Sequence, residues 1–267
     1  MTTTADPASK PIVDLTSLFG LNDRVAIVTG ASSGLGDRFA RVLDAAGANV
    51  VIAARRADRL EALAAELDHD SLVVPCDVAD PDQTQALCDA AIERFGRVDV
   101  LVNNAGVGAP IAAEDQPIDD FRHTVDVNLT GLFALSQQVG RTMIERGSGS
   151  IVNIASVLGL VASAPIKQAA YCASKGGVVN LTRELAAQWA RKGIRVNAIA
   201  PGWFPSEMTQ ELMFDAESGQ DFIKVHCPMA RGGEVDELDG ALLYLAGDAA
   251  GYVTGQVLAV DGGWTIR

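Results

Sequence analysis

The chain of 267 residues contains little cysteine, histidine or aromatic residue. Its four cysteines, Cys76, Cys88, Cys172 and Cys227, form no CxxC or CxxH pair. This spacing argues against a zinc site and against a disulfide framework, so reduced thiols are expected and no metal is predicted. Histidine occurs only three times and aromatic residues make up 5% of the chain. Few residues are therefore available for histidine-dependent catalysis.

Basic residues are scarce relative to acidic ones, with 21 Lys and Arg against 34 Asp and Glu and a net charge of −13. A surface this acidic is repelled by nucleic-acid phosphates and by anionic lipids, so neither is an expected partner. No apolar run approaches the ~20 residues that a membrane-spanning helix needs. Residues 1–20 lack the basic start and apolar block of a secretory signal, and we therefore predict a cytoplasmic protein.

Short apolar runs alternate with segments of helical periodicity along the rest of the chain, which is 48% hydrophobic and can bury a core. The predicted strands are 24–29, 49–54, 71–76, 98–103, 150–155, 194–200 and 256–261. The predicted helices are 35–46, 57–67, 81–95, 118–146, 171–192 and 234–246. This alternation predicts an α/β fold with a Rossmann-type, doubly wound and mainly parallel sheet of about seven strands and helices on both faces.

We assign this sheet to a single domain, residues 22–267, preceded by a polar N-terminal tail, residues 1–21. Ligands of such sheets bind beyond the carboxyl ends of the strands. Functional residues are therefore expected directly after each strand.

The first strand runs into a glycine-rich turn, TGASSGLG, that ends at Gly36 and opens a helix. Glycines allow the backbone to approach a pyrophosphate, and the helix N-terminus offers free N–H groups and a positive dipole end. The spacing is GxxxGxG, whereas the common dinucleotide fingerprint is GxGxxG, so a tight turn without a ligand is an alternative. Residues 30–34 also match the GxSxG nucleophile elbow of serine hydrolases, although only His226 lies in the last third of the chain.

Tyr171 and Lys175 lie four residues apart in a predicted helix, so their side chains share one face. A neighbouring ammonium favours the phenolate and lowers the pKa of a tyrosine, which would make Tyr171 a usable acid-base group. Gly176 and Gly177 follow directly, which indicates a close approach by another element. A YxxxK pair alone is common by chance, and a surface pair with no role is the alternative.

The order of the motifs is more specific than any one of them. TGxxxGxG is followed by NNAG at 103–106, by Asn128, by Ser156 just after a strand, by YxxxK, and by Pro201-Gly202 after a further strand. This series resembles the classical short-chain dehydrogenase/reductase family over residues 22–263. The resemblance implies an oxidoreductase that interconverts a carbonyl compound and an alcohol by hydride transfer with NAD(P).

The resemblance also implies a role for each matched residue. Tyr171 is expected to be the general acid-base, and Lys175 to hold the nicotinamide ribose and lower the pKa of Tyr171. Ser156 would hydrogen-bond the reacting oxygen, and Asn128 would position a water next to Lys175. The expected cofactor contacts are Gly30, Ser32, Ser33, Gly34, Leu35, Gly36, Arg55, Asp77, Val78, Asn104, Ala105, Gly106, Tyr171, Lys175, Pro201, Gly202, Phe204, Ser206 and Met208.

The choice of cofactor depends on the end of the second strand. NAD-binding folds often carry an acidic residue there that accepts a hydrogen bond from the ribose 2′-hydroxyl. Here that position is Ala54, and Arg55 follows. A guanidinium can bind a 2′-phosphate through two hydrogen bonds. We therefore predict a preference for NADP(H), with NAD(H) as the alternative.

Residues 203–231 form the longest segment between predicted core strands and are rich in aromatic and methionine side chains. The resemblance implies that they cover the substrate as a lid, and their side chains suggest a rather apolar alcohol or carbonyl substrate. The alternative is that these aromatic residues pack a short helix pair onto the core. A 3-oxoacyl thioester reductase of the same family is the second reading, and a cofactor-binding sensor without turnover is a third. The C-terminal sequence YVTGQVLAVDGGW resembles the segment between subunits of tetrameric family members, which implies a homotetramer.

Overall fold

The computed structural model describes residues 14–266 of the chain. Its sheet has seven parallel strands in the order β3-β2-β1-β4-β5-β6-β7. The strands are β1 Val25–Thr29, β2 Asn49–Ala54, β3 Ser71–Pro75, β4 Val100–Asn103, β5 Gly149–Ile154, β6 Ile194–Pro201 and β7 Val257–Val260. The predicted α/β class, the doubly wound parallel sheet and the single domain are confirmed.

Nine α-helices are present among the described residues. They are α1 Leu15–Phe19, α2 Gly34–Ala45, α3 Ala57–Ala64, α4 Pro81–Phe95, α5 Ile118–Val125, α6 Leu132–Arg146, α7 Ala169–Trp189, α8 Glu217–His226 and α9 Asp239–Ala246. The sheet separates two large clusters of buried side chains, so β1 contributes Ala26 and Val28 to one and Val25 and Ile27 to the other. Burial on both faces explains why the central strands have apolar sequences without polar alternation.

Helix ends follow local signals in the sequence. Asp80 caps α4 by accepting a hydrogen bond from the Asp82 N–H at 2.9 Å, and Pro81 occupies the first position of the helix. The predicted helix 118–146 is helical throughout, but a π-helical segment, Asp126–Gly131, separates α5 from α6. This segment widens the helix at the edge of the cleft described below, and it carries Asn128.

The predicted tail is only partly covered by the structure. Residues 1–13 lie outside the described residues, and α1 occupies part of the remainder. Leu21, the last residue of the predicted tail, is completely buried. The predicted lid contains a π-helical turn, Gln210–Asp215, followed by α8. In the part of the chain that the structure describes, every helix is too short or too polar to cross a membrane.

Candidate active site

An open cleft of ≈ 430 Å³ lies at the carboxyl ends of the central strands. The strand order reverses between β1 and β4, and a crevice at such a switch point is where open α/β sheets bind ligands. Nearly every predicted site residue lines this cleft; Gly36 and Asn128 are the exceptions. The cleft is also lined by residues that the sequence analysis did not select: Ala54, Arg56, Cys76, Val107, Val127, Ile154, Ala155, Glu207 and Thr209.

The glycine turn is closely packed against the end of β4. Gly30 has a φ of +68°, and a Cβ on it would lie 2.9 Å from the Ala105 Cα. A Cβ on Gly36 would lie only 2.2 Å from the Gly30 carbonyl oxygen. The Asn104 amide donates to the Thr29 carbonyl at 2.9 Å and holds the two strand ends together. Gly36 therefore allows the turn to pack, although it does not itself line the cleft.

The N-terminus of α2 points free backbone donors at the cleft. Ser33 is the N-cap residue in an extended conformation, and its side chain makes no capping hydrogen bond. The first N–H groups of a helix need acceptors from outside the helix. With Gly34 directly after Ser33 and Gly36 two residues later, this end of α2 is suited to an anionic group such as a pyrophosphate.

Tyr171, Ser156 and Lys175 converge at one end of the cleft, as the sequence predicted. Ser156 lies at the end of β5, where its hydroxyl accepts a hydrogen bond from the Leu158 N–H at 3.1 Å. Burial raises the pKa of Tyr171, and a hydrogen bond with the Ser156 side chain lowers it in part. The net direction of the shift is upward, because burial outweighs the hydrogen bond with Ser156.

Lys175 is 3% exposed and lies one helical turn beyond Tyr171 on α7. Its Nζ donates to the Ile154 carbonyl at 2.7 Å and lies 5.7 Å from the centre of the Tyr171 ring. Burial lowers the pKa of Lys175 to about 8. The Ile154 carbonyl takes one of the three N–H donors of the ammonium, and the others can donate to hydroxyl groups in the cleft.

Asn128 is completely buried and braces the wall of the cleft next to Lys175. Its side chain forms two hydrogen bonds of 2.8 Å with the backbone of Val107, one to the N–H and one to the carbonyl. It also donates to the Ser174 hydroxyl at 3.0 Å. A Cβ on Gly106 would lie 3.4 Å from Asn128 Oδ1 and 3.5 Å from Lys175 Nζ, so the three residues meet at one point.

The opposite end of the cleft contains a set of hydrogen-bond donors that we call the Arg56 cradle, formed by Ser32, Ser33 and Arg56. The Arg56 guanidinium donates to the Ser32 hydroxyl at 2.9 and 3.1 Å and to the Ser33 hydroxyl at 2.8 Å. Arg55, the residue that the sequence analysis selected, also lines the cleft. The structure thus places the second arginine of the pair, and not the first, against the glycine turn.

The segment after β6 closes the cleft from the other side. Pro201 ends β6, and the Gly202 N–H donates to the Val260 carbonyl at 2.9 Å. Phe204 is buried, while Met208 is 42% exposed. The Ser206 Cβ approaches the position of a Cβ on Gly34 to 3.4 Å. The lid therefore begins directly above the glycine turn.

Comparison with known proteins agrees with this geometry. The family model described as enoyl-(acyl carrier protein) reductase, adh_short_C2, matches residues 30–265. D-threitol dehydrogenase of Mycolicibacterium smegmatis is 41% identical over 252 residues, 93% of this chain and 95% of that protein. Galactitol 2-dehydrogenase (L-tagatose-forming) of Cereibacter sphaeroides is 40% identical over 256 residues, 95% of this chain and 100% of that protein.

A crystal structure of a gluconate 5-dehydrogenase from Burkholderia cenocepacia in complex with NADP and tartrate superposes with a TM-score of 0.90. The two chains are 38% identical, and the match covers 94% of this chain and 99% of the gluconate 5-dehydrogenase chain. The chain belongs to the short-chain dehydrogenase/reductase family. The predicted reaction class, oxidation of an alcohol or reduction of a carbonyl group with a nicotinamide dinucleotide, is confirmed at this level.

The surroundings of Ser32 do not support the alternative of a serine hydrolase. In this short-chain dehydrogenase/reductase, the Ser32 hydroxyl accepts hydrogen bonds from Arg56. His226 lies on the lid, where its ring stacks on Phe222 with centroids 4.3 Å apart and its Nδ1 contacts the Phe222 carbonyl. The GxSxG match at 30–34 therefore arises by chance, because the glycine turn contains a serine.

The aromatic side chains of the lid pack mainly on one another. Trp203 contacts Phe222 and Trp264 edge to face, with centroids 6.3 and 5.6 Å apart. These rings belong to a small buried cluster with Val157 and Leu158 of the loop after β5. Their burial stabilises the base of the lid, and Tyr171 packs against the same cluster.

The two cleft residues of greatest consequence that the sequence analysis missed are Arg56 and Glu207. Arg56 was passed over because Arg55 comes first after the strand, although helix α3 begins at Ala57 and turns Arg56 back towards Ser32. Glu207 gave no signal, because a single carboxylate in an acidic chain matches no motif. If both arginines had been considered as partners of the glycine turn, Arg56 could have been found from the sequence. Glu207 could not.

Proposed function

We propose that this protein is an NADP(H)-preferring dehydrogenase/reductase of small secondary alcohols and ketones, with Tyr171 as the acid-base group. The observation that carries the proposal is the pair of functional groups at the two ends of one cleft. Ser156, Tyr171 and Lys175 lie at one end, and the Arg56 cradle lies at the other. Both ends can be reached by one extended dinucleotide.

The residues of the cleft fit a nicotinamide dinucleotide. Gly30 and Gly36 leave room where side chains would clash, and the first turn of α2 offers N–H donors for a pyrophosphate. A guanidinium and two hydroxyls suit a ribose 2′-phosphate, and Ala54 supplies no carboxylate to repel it. The NADP bound to the gluconate 5-dehydrogenase relative supports the same preference.

The dinucleotide supplies the hydride, and the protein supplies orientation and a proton. In reduction, the Tyr171 hydroxyl gives its proton to the carbonyl oxygen, and Ser156 donates a hydrogen bond to the same atom. Two donors directed at the oxygen stabilise the negative charge that develops on it. In oxidation, Tyr171 takes the proton back from the alcohol.

Lys175 acts on Tyr171 and on the bound ribose. Its buried ammonium places a positive charge 5.7 Å from the tyrosine ring, which favours the phenolate once the proton has left. Its remaining N–H donors are available to the ribose hydroxyls of the dinucleotide. Asn128 keeps the backbone around Val107 in place, so that Lys175 meets the ligand in a fixed position.

Two observations on the substrate class point in different directions. The relatives D-threitol dehydrogenase and galactitol 2-dehydrogenase act on polyols by name, which supports a hydroxyl-rich substrate. Met208 and Leu212 are 42% and 47% exposed on the lid and support the apolar substrate expected from the sequence. A 3-oxoacyl thioester is the runner-up, in keeping with the relative named 3-oxoacyl-[acyl-carrier-protein] reductase from Synechocystis, which is 38% identical to this chain.

The test is a rate assay that follows nicotinamide absorbance with purified protein. Four-carbon and six-carbon polyols, aldonic acids, cyclic and aliphatic ketones and a 3-oxoacyl thioester are each offered with both cofactors. Turnover of an alcohol or ketone that is faster with NADP(H) supports the proposal. Cofactor binding without turnover of any compound would favour the sensor reading, and a strict requirement for NAD(H) would refute the cofactor assignment.

The proposal also includes a homotetramer in the cytoplasm. β7 is the outer strand of the sheet, and Leu258 on it is 37% exposed while Tyr252 just before it is fully exposed. Apolar groups at such an edge are typical of subunit contacts. Light scattering after size-exclusion chromatography measures the assembly, and fractionation of the source cells tests the location.

A further inference from the structure

A carboxylate of the lid occupies the Arg56 cradle. Glu207 Oε1 and Oε2 accept hydrogen bonds from Nη1 and Nη2 of Arg56 at 3.1 and 3.0 Å. Glu207 Oε2 also accepts from the Ser33 hydroxyl at 3.0 Å, and Arg59 donates to Oε1 at 2.5 Å. An anion thus already sits where the proposed function requires a ribose 2′-phosphate.

The cradle holds Glu207 as an ion. Hydrogen bonds from Arg56 and then from Arg59 lower the pKa of Glu207 to about 2. The carboxylate accepts the Arg56 fork in a two-point contact, which is also the way a guanidinium binds a phosphate. A carboxylate and a 2′-phosphate would therefore use the same donors, and their like charges prevent both from staying.

We propose that Glu207 is an internal competitor for the 2′-phosphate of NADP(H) and thereby a specificity-determining residue for the cofactor. The inference rests on the proposed function, which puts that phosphate in the Arg56 cradle. NADP(H) binds only after Glu207 has left Arg56 and Ser33. NAD(H) carries a hydroxyl in place of the phosphate, so Glu207 can stay and accept a hydrogen bond from it.

Glu207 in this way replaces the acidic residue that is missing at Ala54. In dinucleotide folds that bind NAD, the carboxylate that accepts from the 2′-hydroxyl comes from the end of the second strand. Here the carboxylate comes from the lid, 151 residues further along the chain than Arg56. The Glu207 side chain is 55% exposed, so a competing anion can displace it, and both cofactors can bind in a ratio that Glu207 sets.

The same contact holds the start of the lid. Glu207 lies between Ser206, which packs against Gly34, and Met208, and both neighbours line the cleft. Release of Glu207 by a 2′-phosphate frees the start of the lid from the glycine turn. NADP(H) and NAD(H) therefore leave the lid in different states.

Calorimetric titration of the full-length protein with NADP⁺, NAD⁺ and adenosine 2′,5′-bisphosphate tests the inference. Glu207→Gln keeps the size and polarity of the side chain but removes its charge, and Glu211→Gln removes a charge from an exposed position of the same lid. We expect Glu207→Gln to bind NADP⁺ and the bisphosphate about three- to tenfold more tightly, with NAD⁺ unchanged or weaker. Glu211→Gln should leave all three ligands within about twofold of wild type.

Two results would overturn the inference. Equal changes in the dissociation constants of NADP⁺ and NAD⁺ in Glu207→Gln would show that Glu207 only holds the lid in place. Weaker NADP⁺ binding would show that Glu207 contributes to binding of the cofactor. Arg56→Ala separates this failure from failure of the proposed function. Unchanged bisphosphate binding in Arg56→Ala would show that the 2′-phosphate binds elsewhere. The proposed cofactor site would then be wrong, and Glu207 would have no phosphate to compete with.

Discussion

The Nζ of Lys175 donates a hydrogen bond to the carbonyl oxygen of Ile154, 2.7 Å away at the end of β5. This contact ties helix α7 to the strand that delivers Ser156, and it takes a charged ammonium out of water. Burial lowers the pKa of Lys175 to about 8, and within residues 14–266 no carboxylate counters this shift. The catalytic end of the cleft is therefore held at a cost in stability.

The first prediction is that Lys175→Met stabilises the protein at pH 7. The pKa of Lys175 is lower in the folded than in the unfolded chain, so the unfolded chain binds more protons between pH 8 and 10.5. The free energy of unfolding of the wild type thus rises by up to ~3 kcal/mol as the pH rises through this window, whereas that of the variant does not. The variant also loses the hydrogen bond to Ile154, which costs ~1 kcal/mol. Its free energy of unfolding at pH 7 should therefore be ~2 kcal/mol higher than that of the wild type.

Urea unfolding at pH 7 and at pH 10.5 measures this difference. Lys192→Met, at an exposed position, is the control and should track the wild type at both pH values. A Lys175→Met variant whose stability relative to wild type is the same at both pH values would show that the ammonium is not destabilised by burial.

The second prediction is that Tyr171→Phe lowers the turnover number by about 10²–10⁴-fold, the usual contribution of a positioned acid-base group. The ring and its packing remain, so the dissociation constants of NADP⁺ and NAD⁺ should change by less than about twofold. Tyr252→Phe, which alters a fully exposed tyrosine, should have wild-type kinetics. Steady-state rates and calorimetric binding together decide the role, and appreciable turnover in Tyr171→Phe would refute it.

The third prediction separates the two neighbouring arginines. Arg56→Ala should raise the KM for NADP(H) by about 10- to 100-fold, because a hydrogen-bonded charge pair with the 2′-phosphate is lost. Arg55→Ala should have the smaller effect, since Arg56 is the one that contacts Ser32 and Ser33. The ratio of kcat/KM for the two cofactors is the measurement, with the exposed Arg191→Ala as control. A larger loss in Arg55→Ala would restore the assignment made from the sequence.

The fourth prediction concerns Asn128 as a positioning residue. Asn128→Ala removes two hydrogen bonds to the Val107 backbone and a third to Ser174, which should cost ~2–4 kcal/mol of stability. The KM for the cofactor should rise as the wall near Gly106 loosens. Asn180→Ala changes an exposed asparagine of α7 and should be neutral in both measurements. Loss of stability with unchanged kinetics would limit Asn128 to a structural role.

Much of the fold and the catalytic end of the site could be predicted from the sequence. The apolar runs without polar alternation indicate strands buried on both faces, and their alternation with helices favours a parallel sheet. The carboxyl ends of parallel strands meet at one edge, so Gly30, Asn104 and Ser156 had to come together once the strands were placed. The four-residue spacing of Tyr171 and Lys175 puts them on one helix face in any α-helix.

Other properties depended on which side chains the tertiary structure brings together. The direction of the Tyr171 and Lys175 pKa shifts depends on burial, which no spacing reveals. The edge-to-face contacts of Trp203 with Phe222 and Trp264 also depend on the tertiary structure, because Trp264 lies far from the lid in the sequence.

The adenosine end of the cleft shows the difference most clearly. Local sequence could place an arginine after β2 but could not choose between Arg55 and Arg56, because the choice depends on how α3 leaves the strand. Glu207 reaches Arg56 across 151 residues of chain, and only the folding of the lid over the glycine turn joins them. The sequence by itself determined the strands, the turn and the YxxxK pair, since these follow from local periodicity. The tertiary structure decided the charge pairing and the proton affinities, since these follow from contacts between distant segments.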